Sequence, residues 1–236
     1  RHTRSLCDWS SDVCSSDLGN FSVIGGKGKA RKTFFISALL AASIRDSKIL
    51  DIKSNFENKR VVFFDTEQSE YDLYWAARRA CLLNDTTNHL SNYEVFCLRP
   101  LSPFERTSFI ENYLEQNNNI GLIIIDGIRD LLTDINNPDQ ATEITTKLMQ
   151  WTKVYNIHAC VVLHENPGSD KLRGHLGTEL INKSKAVVGV AVEECAGDNG
   201  DTYSTCKFEY LRGSRSPKAF NFGHDEAGNL TDNPQL

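Results

Sequence analysis

The sequence predicts an α/β domain with a mainly parallel sheet, helices on both faces of that sheet and an antiparallel edge late in the chain. Apolar runs typical of buried strands alternate with helical patterns between residues 21 and 184. This alternation favours parallel strands covered by helices. After Ala186, three strand patterns follow one another without helices, separated by turns rich in Gly, Asp and Asn. Strands joined in this way favour antiparallel pairing at one edge.

Each predicted element rests on a local pattern. The strands of the parallel part are short apolar runs of the kind that such sheets bury, at residues 21–24, 60–65, 93–98, 121–126 and 158–163. The helices carry apolar residues at helical spacing and lie at residues 34–43, 71–83, 103–116, 139–155 and 176–184. Pro103 suits the first turn of its helix. The late strands are residues 186–193, 203–210 and 219–222.

Residues 1–18 differ from the rest of the chain. They resemble the conceptual translation of a sequencing-library adapter, so we expect an artefactual or disordered tail and a native start upstream of Gly19. Such ends are excluded from fold reasoning. We expect residues 19–236 to form one domain, since that length supports a sizeable core.

The bulk properties limit the classes of function. The net charge is −5, which argues against a general nucleic-acid coat but not against a local basic channel. The cysteines outside the tail are odd in number and widely spaced, at positions 81, 97, 160, 195 and 206. This pattern predicts reduced thiols in a cytoplasmic protein rather than a disulfide framework or a zinc site. No apolar run approaches the roughly 20 residues that span a bilayer.

The turn after the first strand resembles a phosphate-binding P-loop. In the usual signature G-x-x-x-x-G-K-[ST], Gly26 fills the first position and Lys32-Thr33 fill the last two. Arg31 stands where the second glycine belongs. Backbone N–H groups and the dipole at a helix start attract phosphate. The predicted nucleotide-binding residues are Gly26, Lys27, Gly28, Lys29, Ala30, Arg31, Lys32 and Thr33.

Acidic residues close two of the predicted strands. Asp126 ends Gly121-Leu-Ile-Ile-Ile-Asp126, where its carboxylate would face Thr33 across a Mg²⁺ ion. An ordinary strand-end acid that caps the next helix is the alternative. A second acidic group, Phe63-Phe-Asp-Thr-Glu67, follows an earlier strand.

The order of P-loop, strand-end Glu, strand-end Asp and the polar strand end His164-Glu-Asn resembles the RecA-like P-loop ATPases. Within them the chain is most similar to RepA-type hexameric helicases and related AAA family ATPases of plasmids and mobile elements, from Gly19 to about Phe222. The resemblance implies ATP and Mg²⁺ as ligands. It implies that Lys32 contacts the β/γ-phosphates, that Thr33 and Asp126 serve the metal, that Glu67 activates water and that His164 senses the γ-phosphate.

Two basic segments have implied roles in the same relatives. Lys171, Arg173 and His175 lie in a glycine-rich segment that would line a channel and touch single-stranded DNA; a loop that merely packs is the alternative. Arg212 and Arg215 follow a late strand and would reach the γ-phosphate of a neighbouring subunit as arginine fingers. An exposed hairpin turn is the alternative for this pair.

We therefore expect an ATP-hydrolysing motor that acts in replication or mobilisation of a genetic element, as a homo-oligomeric ring for which the resemblance favours a hexamer. Two alternatives stay open at this stage. A non-hydrolysing nucleotide-binding regulatory module is compatible with Arg31 in place of glycine. A small-molecule kinase on a P-loop scaffold would need an acceptor pocket and a lid, and no Arg-rich lid segment is evident.

Overall fold

The structure is a computed structural model that describes residues 18–56, 58–88, 90–166, 168–169, 171–194, 202–213, 216–224 and 230–231. Almost all of the expected tail lies outside these residues, and so do Arg215 and Cys195. Among the residues that are described, no helix is long and apolar enough to cross a membrane.

The element order alternates strands and helices as far as α5 and then continues with strands. The helices are α1 (Lys32–Arg45), α2 (Glu70–Leu82), α3 (Pro103–Gln116), α4 (Pro138–Tyr155) and α5 (Gly174–Lys183). The strands are β1 (Phe21–Gly26), β2 (Lys48–Ile49), β3 (Ile52–Lys53), β4 (Arg60–Asp65), β5 (Tyr93–Cys97), β6 (Ile120–Asp126), β7 (His158–His164), β8 (Ala186–Glu194), β9 (Thr202–Leu211), β10 (Phe220–His224) and β11 (Leu230–Thr231). A short 3-10 helix, Ile128–Leu131, follows β6.

The sheet confirms the predicted fold class. Its strand order is β11-β10-β9-β8-β1-β7-β6-β4-β5. Every pairing from β8 to β5 is parallel, and β8 to β11 pair with one another in antiparallel fashion. The antiparallel extension therefore adjoins the parallel part directly beside β1, the strand that leads into the P-loop.

The core consists of one apolar cluster on each face of the sheet. Side chains of α1 and α2 pack on one face, and side chains of α3, α4 and α5 pack on the other. Successive strand residues alternate between the two clusters, as Phe63 and Phe64 do in β4, because side chains of a strand point to opposite faces in turn. Burial on both faces explains why the central strands are continuous apolar runs.

Local capping fixes where several helices begin. Ser102 accepts a bond from the backbone of Glu105, whose carboxylate in turn accepts from the Ser102 N–H, which forms a capping box at α3. Ser69 and Asn137 cap α2 and α4 in the simpler way.

The structure differs from the sequence prediction in a few places. The β2–β3 hairpin, which pairs residues Lys48–Ile49 with Ile52–Lys53, was not predicted, because strands of two residues carry no periodicity. Helix α5 begins at Gly174 rather than at Leu176. Glycine is a poor helix former, so the apolar pattern alone places the start too late.

Candidate nucleotide site

Parallel strands bring the predicted site residues to one edge of the sheet. Asp65 at the end of β4 is the direct neighbour of Asp126 at the end of β6. Gly26 at the end of β1 is likewise the neighbour of His164 at the end of β7. Carboxyl ends of parallel strands form the usual ligand-binding crevice of open α/β sheets.

The P-loop connects β1 to α1 through residues 27–31. Lys29 and Arg31 adopt left-handed backbone conformations with φ of 65° and 63°. Gly26 has φ of 154°, and a Cβ there would overlap the carbonyl oxygen of Val190 in β8. The first glycine of the signature is therefore required by close approach of another strand as well as by its own backbone.

Arg31 takes the left-handed conformation that favours glycine and uses its side chain elsewhere. Its carbonyl oxygen accepts bonds from Phe34 N at 3.0 Å and Phe35 N at 3.3 Å, which starts α1. Its guanidinium donates to Thr202 O at 2.8 Å and to Thr202 Oγ1 at 2.5 Å. The side chain predicted to contact phosphate thus binds the first residue of β9.

Lys32 is buried at the head of α1, with only 7% of its surface exposed. Its ammonium donates to Gly26 O at 3.0 Å and Lys27 O at 2.8 Å, and it lies 3.1 Å from His164 Nδ1. Burial lowers the pKa of Lys32, and the nearby carboxylates, Asp126 foremost, oppose this lowering. A partly dehydrated cation at this position is suited to binding phosphate.

His164 connects Lys32 to Glu67. Because an ammonium can only donate, His164 Nδ1 must accept the bond from Lys32, which leaves the ring proton on Nε2. His164 Nε2 lies 3.5 Å from Glu67 Oε2 and points that proton toward the carboxylate. This contact lowers the pKa of Glu67, and burial opposes the effect. Glu67 therefore carries a negative charge close to the predicted phosphate site.

The two strand-end aspartates have different environments. Asp65 accepts bonds from Glu67 N at 2.9 Å and Gln68 N at 2.7 Å, so it stabilises the turn that presents Glu67. Burial raises the pKa of Asp65, although the bonds from Gln68 oppose this. Burial, reinforced by the carboxylates of Asp65 and Glu67, raises the pKa of Asp126 to about 8. The charges of Asp65 and Glu67 thus make ionisation of Asp126 costly, and a cation beside the Asp126 carboxylate would lower that cost.

The donor set fits Mg²⁺ bound together with a nucleotide. Thr33 lies in the first turn of α1, beside Lys32, and Asp126 supplies a carboxylate from β6. Within the described part of the chain, no group of three or more His, Cys, Asp or Glu is arranged to hold a metal ion. Mg²⁺ usually binds through one or two carboxylates and substrate phosphates rather than through an all-protein cage.

Sequence reasoning missed two residues that shape this edge. Thr66 is buried; its hydroxyl accepts from Gly127 N at 2.8 Å and lies 3.0 Å from Asp130 Oδ2, so it joins the ends of β4 and β6. Gly127 leaves room for Glu67, since a Cβ there would be 2.9 Å from Glu67 Oε1. The sequence did contain a signal for Thr66, because this residue stands between Asp65 and Glu67 in the acidic group that follows β4.

The two basic segments lie at opposite ends of the parallel strands, one at the carboxyl ends and the other at the amino ends. Lys171, Arg173 and His175 are exposed and follow β7 at the P-loop edge. Next to them, Asn166 N donates to Lys171 O at 2.8 Å and Arg173 N donates to His164 O at 3.0 Å. Arg212 is exposed at the other edge, where Leu211 pairs with Ala186 at the start of β8. Arg212 Nη2 donates to Asn182 O at 2.6 Å.

Comparison with known proteins gives one family. The family model AAA_25, described as an AAA domain, matches residues 15–170. The match contains the P-loop, Glu67, Asp126 and His164 and ends before α5. No curated protein matches the chain. Since the matched segment covers well over half of the chain and includes the assembled site, the chain belongs to this AAA domain family of P-loop ATPases.

Proposed function

We propose that the chain hydrolyses ATP and uses the energy as an oligomeric motor on single-stranded DNA, in the manner of RepA-like helicases. The observation that supports ATP hydrolysis is the series of side-chain contacts that links Lys32, at the start of α1, through His164 to Glu67. It joins a phosphate-binding cation to a carboxylate that is positioned to act on water.

Each residue of the site has a definite task in this reaction. Lys32 and the backbone N–H groups of the loop bind the β- and γ-phosphates. Thr33 and Asp126 would hold Mg²⁺, which when bound neutralises phosphate charge. Glu67 orients the attacking water in line with the γ-phosphate and accepts its proton. Gln68 and Thr66 keep the turn that carries Glu67 in place.

His164 gives the site a means to respond to the γ-phosphate. Lys32 currently donates to two loop carbonyls and to His164 Nδ1. A phosphate competes with these acceptors for the same ammonium protons, so its arrival weakens the bond to His164. The ring is then able to reorient, and its contact with Glu67 changes with it. This is the sensor role that the resemblance implies for His164.

The motor part of the proposal rests on placement and on the resemblance. Lys171, Arg173 and His175 are exposed beside β7, the strand that ends in the sensor residue, so a nucleic-acid contact there is close to the reaction centre. Arg212 lies at the edge of the sheet opposite to its own P-loop. Any action of Arg212 on a phosphate therefore involves a second subunit.

The test is ATP turnover of the chain with and without single-stranded DNA, compared with Lys32→Ala. We expect Lys32→Ala to remove ATP binding and turnover while circular dichroism stays unchanged, because the ammonium is the buried cation of the site. Lys147→Ala is a matched control, since this partly exposed lysine pairs with Glu111 away from the P-loop. Unchanged ATP affinity and turnover in folded Lys32→Ala would refute the P-loop interpretation. ATP turnover that does not change when single-stranded DNA is added would refute the motor part of the proposal.

One observation favours a second candidate, a nucleotide-binding regulatory module that does not hydrolyse. Arg31 occupies the glycine position and its guanidinium is committed to Thr202, so the loop carries a side chain where close approach to phosphate normally needs none. ATP binding without turnover in the unaltered chain would support this candidate. Measurable turnover that Glu67→Gln removes would exclude it.

A further inference from the structure

An open cavity of about 720 Å³ lies directly beside the P-loop. One wall is formed by Lys27–Ala30 of the loop. The other wall is the β8–β9 ribbon, which we define as residues 186–194 and 202–211. Small-molecule sites in proteins typically have volumes of about 300 to 1,000 Å³. The cavity is therefore large enough for the part of a nucleotide that extends beyond its phosphates.

The face of the ribbon toward this cavity carries Ala191 and Thr205 beside charged side chains, and the side chain of Glu209 covers Gly189. Gly189 and Ala191 of β8 pair with Lys207 and Thr205 of β9, and all four line the cavity together with Glu193. Val190 of β8 and Cys206 of β9, which lie between these residues, join the core beneath α1. The small side chain of Ala191 leaves room for the face of a base, and the carboxylates of Glu193 and Glu209 are good acceptors for the hydroxyls of a ribose.

Two contacts hold the ribbon against the P-loop. Gly26, the first glycine of the signature, approaches the Val190 carbonyl oxygen so closely that no Cβ would fit. Arg31 donates two hydrogen bonds to Thr202, which is 171 residues away in sequence and opens β9. The residue that departs from the usual signature thus fixes the second wall of the cavity relative to the first.

We propose that the β8–β9 ribbon forms the nucleoside half of the nucleotide site. The base and ribose lie in the cavity against Ala191 and Thr205, the P-loop binds the phosphates, and the Arg31–Thr202 contact holds the two halves in register. This inference rests on the proposed binding of ATP. The family match ends at residue 170, so it assigns no role to the ribbon.

The first test uses the unaltered chain and an azido-ATP photoprobe whose reactive group is on the base. After irradiation and proteolysis, we expect the label on peptides from the β8–β9 ribbon, and excess ATP should suppress it. Label that ATP suppresses but that appears only on peptides outside the ribbon would overturn the proposal, because it would place the base elsewhere while ATP still binds.

The second test fills the cavity and compares two ligands. In Ala191→Trp, the indole occupies space that the nucleoside needs, so the affinity for Mg·ATP should fall by about tenfold or more. Inorganic tripolyphosphate has no nucleoside, so its affinity should change by less than about twofold. Ala219→Trp is the matched control, since Ala219 is also exposed but does not line the cavity. Calorimetry measures both ligands, and circular dichroism checks the fold.

The outcomes separate this inference from the proposed function. If folded Ala191→Trp binds ATP as the unaltered chain does, or loses both ligands equally, the nucleoside assignment is wrong even though ATP binds. If the unaltered chain binds neither ATP nor tripolyphosphate, the proposed function fails first and the inference falls with it. Should Ala191→Trp not fold, Ala191→Leu fills less space and the photolabelling result decides the question without any substitution.

Discussion

The left-handed backbone of Arg31 leads to a prediction that depends only on the structure of the loop. Arg31→Ala and Arg31→Gly both remove the guanidinium and its two bonds to Thr202. The two variants differ in the backbone, because alanine at φ of 63° carries a steric cost of about 1–2 kcal/mol that glycine does not. Glycine loses more conformational freedom on folding, and this entropic cost offsets roughly 0.5–1 kcal/mol of the steric advantage of the glycine variant.

The unaltered chain is therefore expected to be the most stable, Arg31→Gly less stable and Arg31→Ala the least stable. Hydrogen bonds from a charged donor contribute about 1.5–3 kcal/mol when buried. The half-buried position of Arg31 places the loss of its two bonds near the lower end of that range. The glycine variant should exceed the alanine variant by up to about 1.5 kcal/mol, and each kcal/mol corresponds to roughly 2–4 °C in Tm for a chain of this size.

Urea unfolding followed by circular dichroism measures these differences, with calorimetry as an independent check. Lys29 provides the matched control, because it shares the left-handed backbone with φ of 65° but has an exposed side chain. Lys29→Gly should be at least as stable as the unaltered chain, since it removes strain and no comparable bond. If Arg31→Ala is more stable than Arg31→Gly, the left-handed assignment of this residue is wrong.

Three further predictions concern the catalytic base, a buried hydrogen bond beside it and the action of arginines across subunits. Glu67→Gln should retain Mg·ATP and lose turnover, because the amide keeps the shape without the base; surviving turnover, measured by phosphate release, would place the base elsewhere. Thr66→Val should cost about 1–3 kcal/mol by leaving a buried backbone N–H unpaired, whereas Thr145→Val, whose hydroxyl donates only within its own helix, should cost less in the same urea titration. Mixing Glu67→Gln with an Arg212→Ala/Arg215→Ala double variant should restore part of the turnover if these arginines act across subunits; co-assembly without recovery, together with full turnover of the arginine variant alone, would contradict the trans role.

The central sheet could be predicted from the sequence because its strands are buried on both faces. Continuous apolar runs such as Arg60–Asp65 and Gly121–Asp126 have few other solutions in a chain that alternates with helices. The acids that end these runs, Asp65 and Asp126, then become neighbours as a consequence of parallel pairing, so their position at the carboxyl ends of the strands follows from the sequence pattern.

The partners of Arg31 and Lys32 could not be predicted in the same way. Thr202 lies 171 residues from Arg31, and no local pattern relates two residues so far apart. The antiparallel pairing of β8 with β9 decides which residue of β9 reaches the loop, and register depends on the turn and on both faces together. The contact from Lys32 to His164 likewise depends on β7 being the neighbour of β1, which is a property of strand order.

The charges at this edge show why nucleotide and metal are expected to bind together. Lys32 is a buried cation near the carboxylates of Asp126, Glu67 and Glu165. Its ammonium is turned toward loop carbonyls and His164. A phosphate that recruits this ammonium takes compensating charge away from the carboxylates. Opposite charges attract most strongly where water is scarce. The carboxylates are then stabilised most by a divalent cation that also contacts the phosphate. The same arrangement that prepares the site for ATP therefore favours its magnesium complex over the free nucleotide.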